Sequence, residues 1–328
     1  MLSVAVVVAS AVSSPIIGGY GDFRFEYDPE KLALPPGTEL LNAHGLVIDP
    51  TDGSLILTYE PVHQLQRGRE VNEDQHCMIK WKPDGTGGST IGPGTDLCAG
   101  VPHGLRLSIE DGKPFLYHAN NAATLHKTRL DGSIVWSIDG PPTKSKDFLP
   151  NKPTWFAAPP DSEYVYMADG YGSNYVHVYQ RNGTYTGVSF GGRGTGPGKF
   201  QTCHSINWDT RSRQLVVSDR ENHRHQYFRM NSNQSNPEVM YASEFAVSEL
   251  QRPCNLRVAA DGVHAVVAAL EGPVGILNES NALISLVDVA GLLGDKGHLH
   301  PHDALLMPSG DLIVATWNPG KLSYWKRI

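Results

Sequence analysis

The stretch VPHGLRL (101–107) sets a small or imino residue before a histidine and an apolar run after it, and it recurs. Aligned on its third residue, the chain repeats the arrangement as NAHGLVI (42–48), KPTWFAA (152–158), TCHSINW (202–208), RPCNLRV (252–258) and HPHDALL (300–306). The aligned residues are His44, His103, Thr154, His204, Cys254 and His302, separated by 59, 51, 50, 50 and 48 positions. A period near 50 residues marks a chain built from stacked units that cannot bury their faces alone.

The residues after each anchor repeat too. Beyond the apolar run comes a turn: PTDG (50–53), IEDG (109–112), PPDS (159–162), DTRS (209–212), AADG (259–262) and MPSG (307–310). Pro, Asp and Gly supply the dihedral angles such turns require. A second run comes next, SLILTY (54–59), PFLYHA (114–119), YVYMAD (164–169), QLVVSD (214–219), HAVVAA (264–269) and DLIVAT (311–316). These runs are short, β-branched or aromatic and continuous, as expected of strands buried on both faces. A third run closes the unit at 76–81, 124–129, 175–180, 224–229, 274–279 and 321–326. Six units of three strands, each with room for a fourth, predict an all-β, six-bladed β-propeller with repeats of about 50 residues. A β-sandwich array is the competing arrangement. Residues 19–328 form the propeller domain in this reading, with no internal linker.

Composition bounds the function. Of 328 residues, 40% are apolar and 19% charged, with 34 Gly and 23 Pro, which suits a turn-rich globular chain. The net charge is −7 and no dense Lys/Arg run occurs, which excludes nucleic acid and anionic membranes as expected partners. Residues 1–18 (MLSVAVVVASAVSSPIIG) read as a secretory signal, too short to span a membrane; a Val-rich first strand is the alternative. Sequons at Asn182, Asn233 and Asn278 agree with a secreted or secretory-lumen glycoprotein. The four cysteines, Cys77, Cys98, Cys203 and Cys254, lack metal-type spacing and allow two disulfides or none.

In a propeller the innermost strands line a central channel, so equivalent positions form a ring. Here that ring reads His, His, Thr, His, Cys, His, although the chain has only 14 histidines. His103, His204 and His302 stand on alternate blades and can point at a common centre. Three imidazoles with a fourth position left open form the ligand set of a catalytic zinc, and other divalent transition metals accept it. His44 is a further ligand, a group supporting the ligands, or an acid/base. Cys254 is a thiolate ligand, a channel-lining residue, or a disulfide partner of Cys203.

VPHGL, CHSI and HPHDAL, together with DGYGSNYVHVY (169–179), SDRENHRHQYF (218–228) and GGRGTGPGKF (191–200), resemble peptidyl-α-hydroxyglycine α-amidating lyase, a six-bladed propeller with NHL-type repeats. The likeness covers blades two to four and the last, about two thirds of the chain. It is poor in blade one and in most of blade five, where only EGPVG (271–275) echoes the family. The resemblance implies zinc on His103, His204 and His302, a catalytic tyrosine at Tyr171 and a functional arginine at Arg220. It also implies a structural calcium bound by Asp303 and a backbone oxygen near Leu105. The implied reaction is C–N cleavage of a peptidyl- or acyl-α-hydroxyglycine to an amide and glyoxylate. The chain carries no copper monooxygenase domain, so hydroxylated substrate is expected from a separate protein.

Departures accompany the likeness. Tyr59 and Glu60 stand where the family carries a substrate-binding arginine, and Arg67 and Arg69 are the nearest replacements. Gly172 and Tyr227 fall where the family has cysteines. Two other functions remain in view: another hydrolase or dehydratase reaction at the same metal, and a non-enzymatic propeller that binds through its blade-top loops.

Overall fold

The structure is a computed structural model, and it describes residues 14–62, 76–92, 96–142, 146–231 and 237–328. Arg67, Arg69, Asn233 and the apolar stretch 1–13 lie outside the described residues. The strands form six antiparallel sheets in a ring, a six-bladed β-propeller. Blade one is β3 (Leu40–Ile48), β4 (Leu55–Pro61), β5 (Met78–Trp81) and β6 (Ser89–Ile91). Blade two is β7 (Pro102–Glu110) to β10 (Ile134–Ile138), and blade three runs from β11 (Trp155–Ala157) to β14 (Tyr185–Gly191). Blade four is β15 (Cys203–Asp209) to β18 (Glu238–Phe245), and blade five β19 (Pro253–Val258) to β22 (Leu283–Val287).

Blade six draws on both ends of the chain. Strands β23 (Pro301–Leu306), β24 (Leu312–Thr316) and β25 (Lys321–Arg327) are joined by the hairpin β1 (Ile17–Tyr20)–β2 (Phe23–Tyr27), in the order β1-β2-β25-β24-β23. Phe25 pairs with Arg327, Glu26 with Lys326 and Tyr27 with Trp325. The first paired strand thus begins at Ile17, within the segment also readable as a signal.

Each hydrophobic cluster straddles two neighbouring blades. Val47, Ile56 and Met78 of blade one pack on Leu105 and Leu116 of blade two, and Tyr117 and Leu125 pack on Phe156 and Val165 of blade three. The same holds around the ring to Phe25 and Trp325, which pack on Val266 and Ile276 of blade five. This explains the continuous apolar runs, since every inner strand has a hydrophobic neighbour on both faces. Cys77 and Cys98 are disulfide-bonded, whereas Cys203 and Cys254 are free and buried. Among the described residues no helix is long and apolar enough to cross a membrane.

The anchors have a shared backbone device. In five blades the ladder between the first two strands slips at the anchor, between Ala43 and Leu46, Pro102 and Leu105, Cys203 and Ser205, Pro253 and Asn255, and Pro301 and Asp303. A β-bulge leaves one residue unpaired and re-aims its side chain, here toward the channel. The glycine of VPHGL has a separate cause: a Cβ on Gly104 would lie 2.2 Å from the Thr154 carbonyl oxygen, so only glycine lets blade three approach.

Candidate metal centre at the channel mouth

All four ring histidines converge. Ring centroids are 4.5 Å apart for His44–His103, 4.7 Å for His44–His302, 4.6 Å for His103–His302, 5.1 Å for His103–His204 and 4.7 Å for His204–His302. Each is at most 1% exposed. Trp155, fully buried, packs against them, edge-on to His103 and tilted to His204 and His302, with centroids 6.2, 6.4 and 6.1 Å away.

The tautomers are fixed by the next blade in the ring. His44 Nδ1 donates to the Pro102 carbonyl at 2.6 Å, His103 Nδ1 to Thr154 at 2.8 Å and His204 Nδ1 to Cys254 at 2.8 Å. A carbonyl can only accept, so each of these rings presents Nε2 as a lone pair. His302 is different, because its buried Nδ1 has no hydrogen-bond partner among the described residues. Its Nε2 faces the Nε2 of His103 at 3.1 Å. Burial lowers the pKa of His44 to about 4 and holds His103, His204 and His302 well below the ordinary imidazole value. At neutral pH all four are neutral, the form that ligates metals. The ligand nitrogens of His44, His103 and His302 lie within 4.8 Å of one another. Zinc bound at about 2.0–2.1 Å in tetrahedral geometry places its ligand nitrogens about 3.4 Å apart, so the donor set fits such an ion.

Tyr171 and Arg220 join this cluster. The Tyr171 hydroxyl donates to His204 Nε2 at 3.0 Å and accepts from Arg220 Nη1 at 3.1 Å, with the Arg220 guanidinium 5.2 Å from the tyrosine ring centroid. Burial raises the phenol pKa, and Arg220 pulls it back. The DGYGS loop owes its shape to Asp169, which accepts from Lys152 N at 2.5 Å and from Ser173 N at 2.7 Å. A Cβ on Gly172 would lie 2.1 Å from the Pro150 oxygen, so the cysteine that the resemblance leads one to expect has no room. Tyr227, at the other such position, donates to Asp209 Oδ2 at 2.7 Å. In SDREN, Asp219 holds the turn by accepting from Gln201 N at 2.7 Å and Arg224 Nε at 2.9 Å. Cys254 lies beside Arg220; burial raises its thiol to about 11, which keeps it protonated.

A cavity of about 460 Å³ opens above the cluster, lined by His44, His103, His302, Tyr171 and Arg220 together with Asn121, Arg252, Leu270, His300 and Trp317. The last five were missed in the sequence, yet they too repeat. The residue leaving the second strand donates its N–H to the residue two before the anchor: Asn121 to Val101 at 3.0 Å, Tyr171 to Lys152 at 3.4 Å, Arg220 to Thr202 at 2.9 Å, Leu270 to Arg252 at 3.0 Å and Trp317 to His300 at 2.9 Å. Superposing the repeats at these two positions, rather than at the anchor alone, picks out the cavity wall.

The surroundings of Asp303 do not fit a calcium. Its oxygens accept from Leu46 N at 2.8 Å, Asn255 Nδ2 at 2.6 Å, Ala304 N at 2.9 Å and Arg257 Nη2 at 2.7 Å. Calcium takes six to eight oxygen ligands; Asp303 instead meets N–H donors and a guanidinium, and a second arginine, Arg106, lies close enough to feel its charge. Leu105, the other expected contributor, sits in the ladder opposite His118. Tyr59 is a core residue, and Glu60 accepts from Asn42 Nδ2 at 2.5 Å, so neither replaces the expected substrate arginine. A scan against protein-family models finds no match, and neither does a search of the curated proteins.

Proposed function

We propose that this propeller is a metal-dependent carbon–nitrogen lyase acting on α-hydroxyglycine-type carbinolamides, releasing an amide and glyoxylate. The observation that carries the reading is the Tyr171 hydroxyl, held between His204 and Arg220 at the edge of a histidine cluster with converging lone pairs. A divalent transition metal, when bound by the histidines, supplies Lewis acidity to the substrate's hydroxyl group.

The remaining chemistry belongs to side chains. In N–CH(OH)–COO⁻ the hydroxyl proton leaves to a base, the C–O bond becomes a carbonyl, the C–N bond breaks and the amide nitrogen takes a proton. Tyr171 in its ionised form is the base and passes the proton on to the amide nitrogen; Arg220 favours that form by charge and by hydrogen bonding, against burial, which raises the phenol pKa. The substrate carboxylate has two arginines in the cavity wall. Arg220 Nε and Arg252 Nη2 meet on Glu221 Oε1, at 2.9 and 2.7 Å, and Arg252 Nη1 also pairs with Glu271, which holds both guanidiniums in the cavity wall. Arg252 takes over the part expected of Arg67 or Arg69. The Cys77–Cys98 disulfide supports a secreted setting, as does the exposed sequon Asn182, and a separate oxygenating enzyme would supply the hydroxylated substrate.

The test is to load the purified chain with zinc, add α-hydroxyhippurate and measure glyoxylate. Glyoxylate in proportion to bound metal supports the lyase. Full metal occupancy with no glyoxylate turns the reading to another reaction at the same site, and absence of metal binding to a non-enzymatic propeller.

A further inference from the structure

We infer that His44, rather than His204, completes the metal-binding trio with His103 and His302, and that His204 serves instead to hold Tyr171. This rests on the metal-dependent reading above and departs from the ligand set the sequence suggested. Three independent features of the site carry it.

The ring nitrogens of His44, His103 and His302 lie mutually within 4.8 Å, whereas His204 stands outside this group. His204 Nε2 meets a hydroxyl, that of Tyr171 at 3.0 Å, with its Nδ1 committed to the Cys254 carbonyl, whereas His103 Nε2 meets another imidazole nitrogen of the trio, His302 Nε2 at 3.1 Å. Finally, the cavity wall includes His44, His103 and His302 but not His204, which Tyr171 covers. A metal on the trio keeps a position open toward the cavity, and His204, Tyr171 and Arg220 then form a hydrogen-bonded row along one side of it. His204 is a positioning residue in this arrangement: it fixes the phenol without touching the substrate.

The experiment compares zinc affinity and glyoxylate release in the wild type, His44→Ala, His204→Ala and His204→Gln, with His44→Gln repeating the measurement should the alanine variant unfold. Replacing residues that only orient a ligand costs about 10–100-fold in metal affinity. His44→Ala should therefore weaken zinc binding more than about 100-fold, and His204→Ala less than about 10-fold. His204→Ala should still lose about 100-fold or more in turnover, as loss of a correctly placed acid/base does. His204→Gln should regain part of it, because its carboxamide can accept from Tyr171. Zinc retained in His44→Ala, or lost in His204→Ala, overturns the assignment. A wild type that binds zinc but releases no glyoxylate defeats the lyase reading alone and leaves the trio to be judged by affinity. A wild type that binds no zinc defeats both.

Discussion

Replacing Asp303 by alanine should destabilise the propeller by an amount that can be worked from its contacts. The carboxylate is fully buried and joins three blades: it accepts from Leu46 of blade one, from Asn255 and Arg257 of blade five, and from its own strand in blade six. Removing one member of a buried ion pair costs about 3–5 kcal/mol, because the other charge is left unpaired. Arg106 adds to the cost, since burial and Arg257 already lower its pKa to about 10 and Asp303 is its counterweight. An entropy of unfolding near 2.1 cal/mol/K per residue gives about 0.65 kcal/mol/K for roughly 310 residues. The melting temperature should then fall by about 5–8 °C. Arg257→Met should cost less, about 1–3 kcal/mol, since burial already raises the Asp303 pKa and a proton can replace the arginine. Calorimetry at neutral pH, in chelator and in millimolar calcium, reads both effects. A fall of less than about 2 °C in Asp303→Ala would show the network to be dispensable. A clear rise of the wild-type melting temperature with calcium would show that the cation at Asp303 is not arginine.

Three further outcomes are expected from the site and the core. Tyr171→Phe should retain zinc while glyoxylate release falls about 10²–10⁴-fold, and a near-normal rate removes Tyr171 as the base. Arg252→Ala should act mainly on KM, with kcat/KM for α-hydroxyhippurate down about 10–100-fold, the worth of a charged hydrogen bond of about 1.5–3 kcal/mol; unchanged KM removes Arg252 from carboxylate binding. Acid should destabilise the chain through histidines away from the channel-mouth cluster. Burial lowers His118 and His225 to about 3 and His177 to about 4. Below the unfolded value near 6.5 the unfolded chain binds protons that the folded chain refuses. Stability is therefore complete above that pH and drains by about 1.4 kcal/mol per pH unit for each histidine as pH falls toward 3–4. A melting temperature flat between pH 7 and pH 5 would contradict this.

The ring was legible because propeller repeats put equal spacing in the sequence. The second and third runs coincide with paired strands, for example Gln214–Asp219 at 214–219 and Tyr175–Gln180 at 175–180. The closure was not legible: β1–β2 lies outside the repeat and pairs with β25 only in space. Convergence of the four histidines came from register, but their division of labour did not. It depends on Nδ1 bonds to carbonyls of the next blade and on a phenol from another loop, neither of which leaves a sequence spacing. Arg252 was hidden for a related reason. It occupies a left-handed backbone position, φ +53°, two residues before an anchor that is a cysteine, so nothing marked blade five as part of the site. Asp303 shows the reverse case, where a motif suggested an ion and an arginine from a poorly matching blade fills the place.

The β2–β25 pairing has a consequence for the order in which the molecule is made. Phe25 and Arg327, which face each other in the ladder, are some 300 residues apart in the chain. During synthesis the early hairpin leaves the ribosome without a partner and waits through five blades. His302 belongs to the blade this pairing completes, and its strand β23 is the inner edge of that sheet. The histidine cluster therefore lacks one wall until the last blade arrives. A nascent chain can fold blade by blade, yet it acquires the candidate site only at the last step.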